Sequence, residues 1–186
     1  MITPKYLLQN IDKFGNEPAL SIKDRNGNWQ TDTWNDFYQC VMEISKSLLA
    51  CNIGINEKIS IYSYNRREWY SCYAAAQYIN SVAVGIYHTC SSSEVDWIVG
   101  NSDSKIVFVG NNPNDNGETD KMPNHRLLRI LDKLDKIEYV VLMEGVEKLE
   151  HKKIITWEEF ISKGSTINDS NVKERNESIN LESTSS

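Results

Sequence analysis

The few residues whose types and spacing could do chemistry support an exclusion more strongly than an activity. His88-x-Cys90 brings an imidazole and a thiol close together. That pair would suit two soft metal ligands, or a base beside a nucleophile. Metal sites usually show paired ligand spacings, and no other His or Cys is close in sequence, so a strand-end loop is the plainer reading. Asp132 with Asp135 and Glu158 with Glu159 could be acid–base pairs, but their helical context makes them solvated surface. The nine glycines come no closer than Gly110 and Gly117. A dinucleotide fingerprint needs glycines two and three apart, a P-loop five apart with Lys and Ser or Thr next, and a nucleophile elbow four apart. None fits, so the sequence holds no recognisable phosphate cradle.

Whatever ligand contacts exist must be positioned by the secondary structure. Ala19 to Lys23 and Trp29 to Thr33 read as two strands joined by the turn Asp24-Arg25-Asn26-Gly27-Asn28, a β-hairpin signal. Thr33 and Asp36 form a capping box for a helix. Its buried face is Trp34, Phe37, Tyr38, Val41, Ile44, Leu48 and Leu49, at helical spacing. Gly54 is expected to end it in the left-handed conformation. An alternation follows: a strand at Lys58–Tyr64, and a helix capped by Asn65 and Glu68 running to Ile79. Next come a nearly continuous apolar strand at Ser81–Tyr87, a helix opened by Ser91-x-x-Glu94, and a strand at Lys105–Val109. A helix from Asn124 to Leu134 and a strand at Glu138–Met143 close the series. Such alternation predicts an α/β fold: a parallel sheet with helices on both faces, preceded by the hairpin. Trp69, Trp97 and Trp157 each fall on an apolar helical face and are expected in the core. Asn111 to Met122 is polar and turn-rich, and reads as a loop. Thr156-x-x-Glu159 opens a further short helix.

In an open parallel sheet, ligands bind beyond the carboxyl ends of the strands. Asn65 and Arg66 lie there after the first strand, Tyr87, His88 and Thr89 after the second, and Gly110-Asn111 after the third. Asn65, Arg66, Tyr87, His88 and Thr89 are therefore the candidate substrate-binding residues, although Asn65 serves equally well as a helix cap. No residue is assigned to catalysis or to a metal.

Composition narrows the class further. Apolar residues make up 40% and charged residues 25%, the balance of a soluble globular domain. A net charge of −6, without a basic stripe, argues against a nucleic-acid partner. The N-terminus lacks an apolar signal core, and no run approaches the ~18 apolar residues of a membrane helix. Membrane association is therefore expected to be peripheral at most. Cys40, Cys51, Cys72 and Cys90 contain no CxxC pair, and Cys40 and Cys51 would lie about 16 Å apart on one helix. Free thiols in a reducing, intracellular compartment are expected. The sequons at Asn168 and Asn176 arise from the composition of an Asn- and Ser-rich tail. Ser165 to Ser186, with four aliphatic residues, is expected to be a disordered polar linker behind an α/β subdomain spanning residues 1–164.

The order of these segments resembles the N-terminal region of long-chain acyl-CoA synthetases, in the adenylate-forming, AMP-binding superfamily. The resemblance rests on Thr33-Trp34-x-x-Phe37, on Gly54 through Ile59, on Asn65-x-x-Glu68-Trp69, and on Gly85-Ile86-Tyr87-His88-Thr89-Cys90-Ser91-Ser92. The last is similar to the Gly-Ile-Tyr-Thr-Thr-Ser-Ser segment of the bubblegum-type branch, departing from it at His88. Looser similarity continues through Tyr139-Val140-Val141 and Trp157-Glu158-Glu159-Phe160.

The resemblance implies a two-step ligase. A fatty acid carboxylate attacks ATP to give an acyl-adenylate and pyrophosphate, with Mg²⁺ offsetting charge, and the thiol of coenzyme A then displaces AMP. The family's Tyr-Thr-Ser-Gly-Thr-Thr-Gly phosphate loop is not in this chain. A fragment inactive alone is expected, holding no ATP, coenzyme A or Mg²⁺ by itself, from a cytoplasmic enzyme or one peripheral on an intracellular membrane. The open alternatives are another adenylate-forming enzyme (an aryl-CoA ligase or an adenylation domain) and a non-catalytic interaction module of the same fold.

Overall fold

Local sequence signals start and stop many of the elements in the computed structural model, which describes residues 4–23, 27–112 and 118–178. These residues fall into two compact units, one drawn from residues 1–56, 71–81 and 161–186, the other from 57–70 and 82–160. The division does not follow the boundary expected after Gly164.

The first unit opens with helix α1 (Pro4–Phe14), followed by strands β1 (Pro18–Lys23) and β2 (Trp29–Thr33). The strands pair antiparallel, with Ser21 opposite Thr31. Of the expected turn, Asp24, Arg25 and Asn26 lie outside the described residues, and Gly27 has φ +82°. Helix α2 (Trp34–Ala50) starts at the expected capping box: the Asp36 N–H donates to Thr33 Oγ1 and Asp36 accepts from the Thr33 N–H. Phe37, Val41, Ile44 and Leu48 are buried along it.

Its end differs from expectation. The left-handed residue is Asn52, with φ 56°, and not Gly54. The Ile53 and Asn52 N–H groups donate back to the Leu48 and Leu49 carbonyls, so the turn satisfies two otherwise orphaned acceptors. Asparagine tolerates this conformation better than other non-glycine residues.

The same unit holds the largest departure from the sequence reading. Residues 165–178 do not run on as a linker. A 3-10 turn (Gly164–Thr166) leads into helix α7 (Asp169–Glu177), on which Val172 is completely buried. Lys46 of α2 pairs with Asp169. The Asn176 amide donates to the Tyr78 carbonyl at 2.9 Å. Gly164 packs so tightly on α2 that an added Cβ would lie 2.9 Å from the Ser47 backbone nitrogen. One buried valine and a few specific bonds anchor a segment whose composition alone cannot build a core. Residues 179–186 of the expected linker lie outside the described residues.

The second unit is a five-stranded parallel sheet in the order β4-β3-β5-β6-β7. Its strands are β3 (Lys58–Ser63), β4 (Val82–Ile86), β5 (Ile106–Gly110), β6 (Tyr139–Leu142) and β7 (Ile154–Thr156), the last not foreseen from sequence. Helix α3 (Arg67–Tyr78) follows β3, α4 (Ser92–Ser102) follows β4, and α5 (Pro123–Leu128) follows β5. Helix α6 (Trp157–Lys163) begins directly after β7, its Thr156–Glu159 capping box formed.

One sheet face carries Tyr62, Val107, Val109, Val140 and Leu142 into a core shared with Val95 and Val99 of α4 and Leu127 of α5. On the opposite face Ile61, Phe108 and Val141 are fully buried, and Phe108 meets Phe160 edge to face at 5.1 Å. Burial on both faces explains why β5 and β6 are continuous apolar runs.

Three expectations fail in this unit. The apolar strand expected to be buried, β4, is a sheet edge with Val82 and Gly85 exposed. The helix expected over Asn124–Leu134 breaks into α5 and a 3-10 turn (Leu131–Lys133). Trp97 is 70% exposed; Val95 and Val99, with the half-buried Ile98, turn α4 toward the core. In the expected loop, residues 113–117 lie outside the described residues. None of the four cysteines is in a disulfide.

Candidate functional site

The strand order reverses between β3 and β5, with β4 on one side and β5, β6 and β7 on the other. In doubly wound sheets the ligand crevice opens beyond the carboxyl ends at such a reversal. The segments flanking it are Tyr64-Asn65-Arg66 after β3 and Gly110-Asn111 after β5. Tyr87, His88 and Thr89 follow the edge strand β4, one strand removed.

Asn65 is exposed and does not cap α3. The first backbone bond of that helix is accepted by the Arg66 carbonyl, and the Glu68 carboxylate is taken up by the Arg66 guanidinium, whose Nε donates at 2.8 Å. Arg66 Nη2, which also pairs with Glu68, donates to the Glu144 carbonyl beyond β6 at 2.8 Å. Arg66 thus spans the mouth of the crevice, with its guanidinium 5.8 Å from the centre of the Tyr64 ring. The other face of the cluster is His88, edge to face on Tyr64 at 6.3 Å. Arg66, Tyr64 and His88 therefore come together. Tyr87, 81% exposed, and the exposed Thr89 stand outside this cluster.

Sequence reasoning missed a second set of ties. Asn111 and the buried Asn124 exchange hydrogen bonds, and the Asn124 amide donates to the Glu147 carbonyl at 3.2 Å. Arg126 of α5 donates from one terminal nitrogen to the carbonyls of His88 (3.3 Å), Thr89 (2.9 Å) and Cys90 (2.9 Å). Its Nε donates to the Asp120 carbonyl at 2.7 Å. The buried Tyr62 hydroxyl adds a 2.6 Å bond to the Cys90 carbonyl. Nothing in the local pattern singles out Arg126, because its acceptors in the β4–α4 loop are backbone groups more than thirty-five residues away.

The electrostatics argue against thiol chemistry here. Burial, reinforced by the nearby Glu94 carboxylate, pushes the Cys90 thiol up, away from the thiolate a nucleophile needs. Burial also raises Tyr62, against the opposing pull of Arg126. The Ser91 backbone N–H, and then its hydroxyl, hold Glu94 below its ordinary 4.5. Beside the loop, Cys90, Ser93, Glu94, Trp97 and Ile98 line an open, mostly apolar cavity of about 390 Å³.

The arrangement does not fit a triphosphate or its metal. No glycine cradle is present, and both rim guanidiniums are already engaged. Among the described residues, no group of three or more His, Cys, Asp and Glu is placed to hold a metal ion.

Comparison with known proteins gives the geometry a context. The sequence model of the AMP-binding enzyme family matches residues 7–180. The long-chain-fatty-acid–CoA ligase ACSBG2 of Xenopus laevis is 22% identical over 162 residues, covering 87% of this chain and 21% of that protein. Its Homo sapiens counterpart is 23% identical over 179 residues, covering 94% of this chain and 25% of that protein. The chain thus spans a quarter or less of the length of these relatives. Among solved structures, the anthranilate CoA ligase AuaEII in complex with anthranoyl-AMP superposes with a TM-score of 0.68 at 15% identity, covering 84% of this chain and 27% of that one.

Proposed function

The chain belongs to the AMP-binding enzyme family, and on that premise we propose that it is the N-terminal α/β segment of an ATP-dependent, AMP-forming long-chain fatty-acid–CoA ligase. The observation that carries this reading is the family match along residues 7–180; the relatives named as long-chain-fatty-acid–CoA ligases support the choice of acid. In the parent enzyme the substrates are a fatty acid, ATP and coenzyme A, with Mg²⁺ beside the phosphates. No residue of this chain is assigned to catalysis, to coenzyme A or to Mg²⁺, and no step of adenylation or thioester formation runs through its side chains.

The segment's own part is to build a rigid wall. Arg66 ties the β3–α3 loop to the segment after β6, and Arg126 ties the β4–α4 loop to α5. Asn65 and Tyr87 to Thr89 then line the acyl or nucleotide side of the complete site. Preorganised walls matter because small displacements of a bound reactant cost large factors in rate. Among the described residues no helix is long and apolar enough to cross a membrane; the location proposed for the parent enzyme is the cytoplasm or the periphery of an intracellular membrane.

The test is fatty-acid-dependent pyrophosphate release from ATP and coenzyme A, measured for the 186-residue chain and for the longest native polypeptide containing it. Activity with long-chain acids in the longer protein alone is the expected result. Activity only with aryl acids would replace the substrate class, and silence of both proteins would favour an interaction module. Tyr87→Ala and His88→Ala in the longer protein should alter KM for the acid or chain-length preference; if every constant stays put, the wall assignment is wrong.

A further inference from the structure

The β4–α4 loop carries three of the five candidate residues, yet three of its consecutive carbonyls are held from outside by one side chain. Arg126 directs a single terminal nitrogen at three consecutive carbonyls, those of His88, Thr89 and Cys90. That nitrogen has two hydrogens, so one of them is shared between two acceptors. Three carbonyl oxygens turned the same way repel one another unless a cation sits among them.

The arginine is itself held at side chain and backbone. Its Nε donates to the Asp120 carbonyl, and the hydroxyl of Ser92, the first residue of α4, donates to the Arg126 backbone carbonyl at 2.9 Å. The Tyr62 hydroxyl reaches the Cys90 carbonyl from beneath. A lysine would keep the charge but has no planar fork to serve both the loop and Asp120.

We infer that Arg126 is the positioning residue of the acid-binding wall: by clamping the carbonyls of residues 88–90 it fixes the loop presenting Tyr87 and His88 to the substrate. This assignment rests on the ligase reading above for its functional half, while its structural half stands independently. Arg126 touches no reacting atom. It acts through the loop, so its removal should weaken acid binding more than it slows turnover.

The experiment compares Arg126→Lys and Arg126→Gln with wild type in the longest native polypeptide, using two readouts. The first is hydrogen–deuterium exchange in peptides covering residues 87–94, with those covering β5 and β6 as internal reference. The second is steady-state pyrophosphate release with a long-chain fatty acid as the varied substrate. Arg129→Gln is the control, since Arg129 pairs with Asp120 on the exposed side of the same region and makes no bond to the loop.

Expected is at least about tenfold faster exchange at 87–94 in both Arg126 variants, with β5 and β6 unchanged. KM for the acid should rise about tenfold or more with kcat within about threefold, and the control should match wild type. Unchanged exchange at 87–94 overturns the assignment. So does faster exchange spread through β5 and β6, which would make Arg126 a general stability residue. Faster local exchange with an unaltered acid KM overturns its role in the wall. If wild type shows no ligase activity with any acid, the ligase reading fails and the exchange arm still decides the clamp.

Discussion

Replacing Gly110 with alanine would drive a methyl group into the seam between β3 and β5, at the mouth of the crevice. Ser63 and Gly110 are register partners in that seam. A Cβ on residue 110 would lie 2.2 Å from Ser63 Oγ, 3.0 Å from Ser63 Cβ and 2.9 Å from Met143 Sδ. The thioether can swing away at little cost. The serine hydroxyl can rotate only by giving up its 2.9 Å bond to the Tyr64 carbonyl, a loss of about 1 kcal/mol. The Cβ-to-Cβ approach cannot be relieved by rotation and forces the paired strands apart, with an overpacking penalty of about 1–3 kcal/mol. Alanine recovers about 0.5–1 kcal/mol by restricting the unfolded chain, leaving a net loss of about 1–3.5 kcal/mol. Equilibrium urea unfolding measures this as a lower midpoint at constant slope. In a Ser63→Gly background both serine contacts vanish, and Gly110→Ala should then cost at least about 1 kcal/mol less, a coupling that a double-mutant cycle isolates. If Gly110→Ala is neutral within about 0.5 kcal/mol, or if its penalty is the same in both backgrounds, the argument from close packing at the crevice mouth is refuted.

Val172→Ala should destabilise the protein by about 1–2.5 kcal/mol, from the lost transfer of two carbons plus the cavity left behind. An unchanged denaturation midpoint would mean that the tail is the linker its composition suggests. Asn52→Ala should cost about 1 kcal/mol, because alanine gains nothing to offset the left-handed conformation; thermal unfolding decides, and Asn52→Gly should be neutral or stabilising. Glu94 is held below its ordinary 4.5, so its carboxylate supports α4 above that pH, and the support is lost as pH falls through the lower folded value. An NMR titration should show the Glu94 midpoint moving up toward 4.5 in Ser91→Ala, and an unmoved midpoint would contradict the capping-box account.

The elements whose signals are local were legible in advance. Thr33-x-x-Asp36 and Ser91-x-x-Glu94 both form the reciprocal caps expected of them, because the partners lie within one turn. The strand–helix alternation announced a parallel sheet, because parallel neighbours must be joined by a crossover. Trp97 shows the limit of periodicity, since an apolar residue on a helix can face water when two valines already define the buried stripe. In the site, Arg66 was legible as a strand-end residue, but its ties to Glu68 and to the Glu144 carbonyl were not. Arg126 was not legible at all.

Residue order by itself determined the α/β alternation, the hairpin and the helix starts at the Thr33, Ser91 and Thr156 capping boxes, and it excluded the glycine-rich phosphate loops, since each depends on neighbours a few residues apart. Tertiary structure alone decided that β4 is an edge, that β7 joins the sheet, that α7 is anchored through Val172, and that guanidiniums on β3–α3 and α5 fix the rim. The reason is range: strand order and the partners of a buried side chain depend on segments tens of residues away, whose approach is set by burial of the whole core.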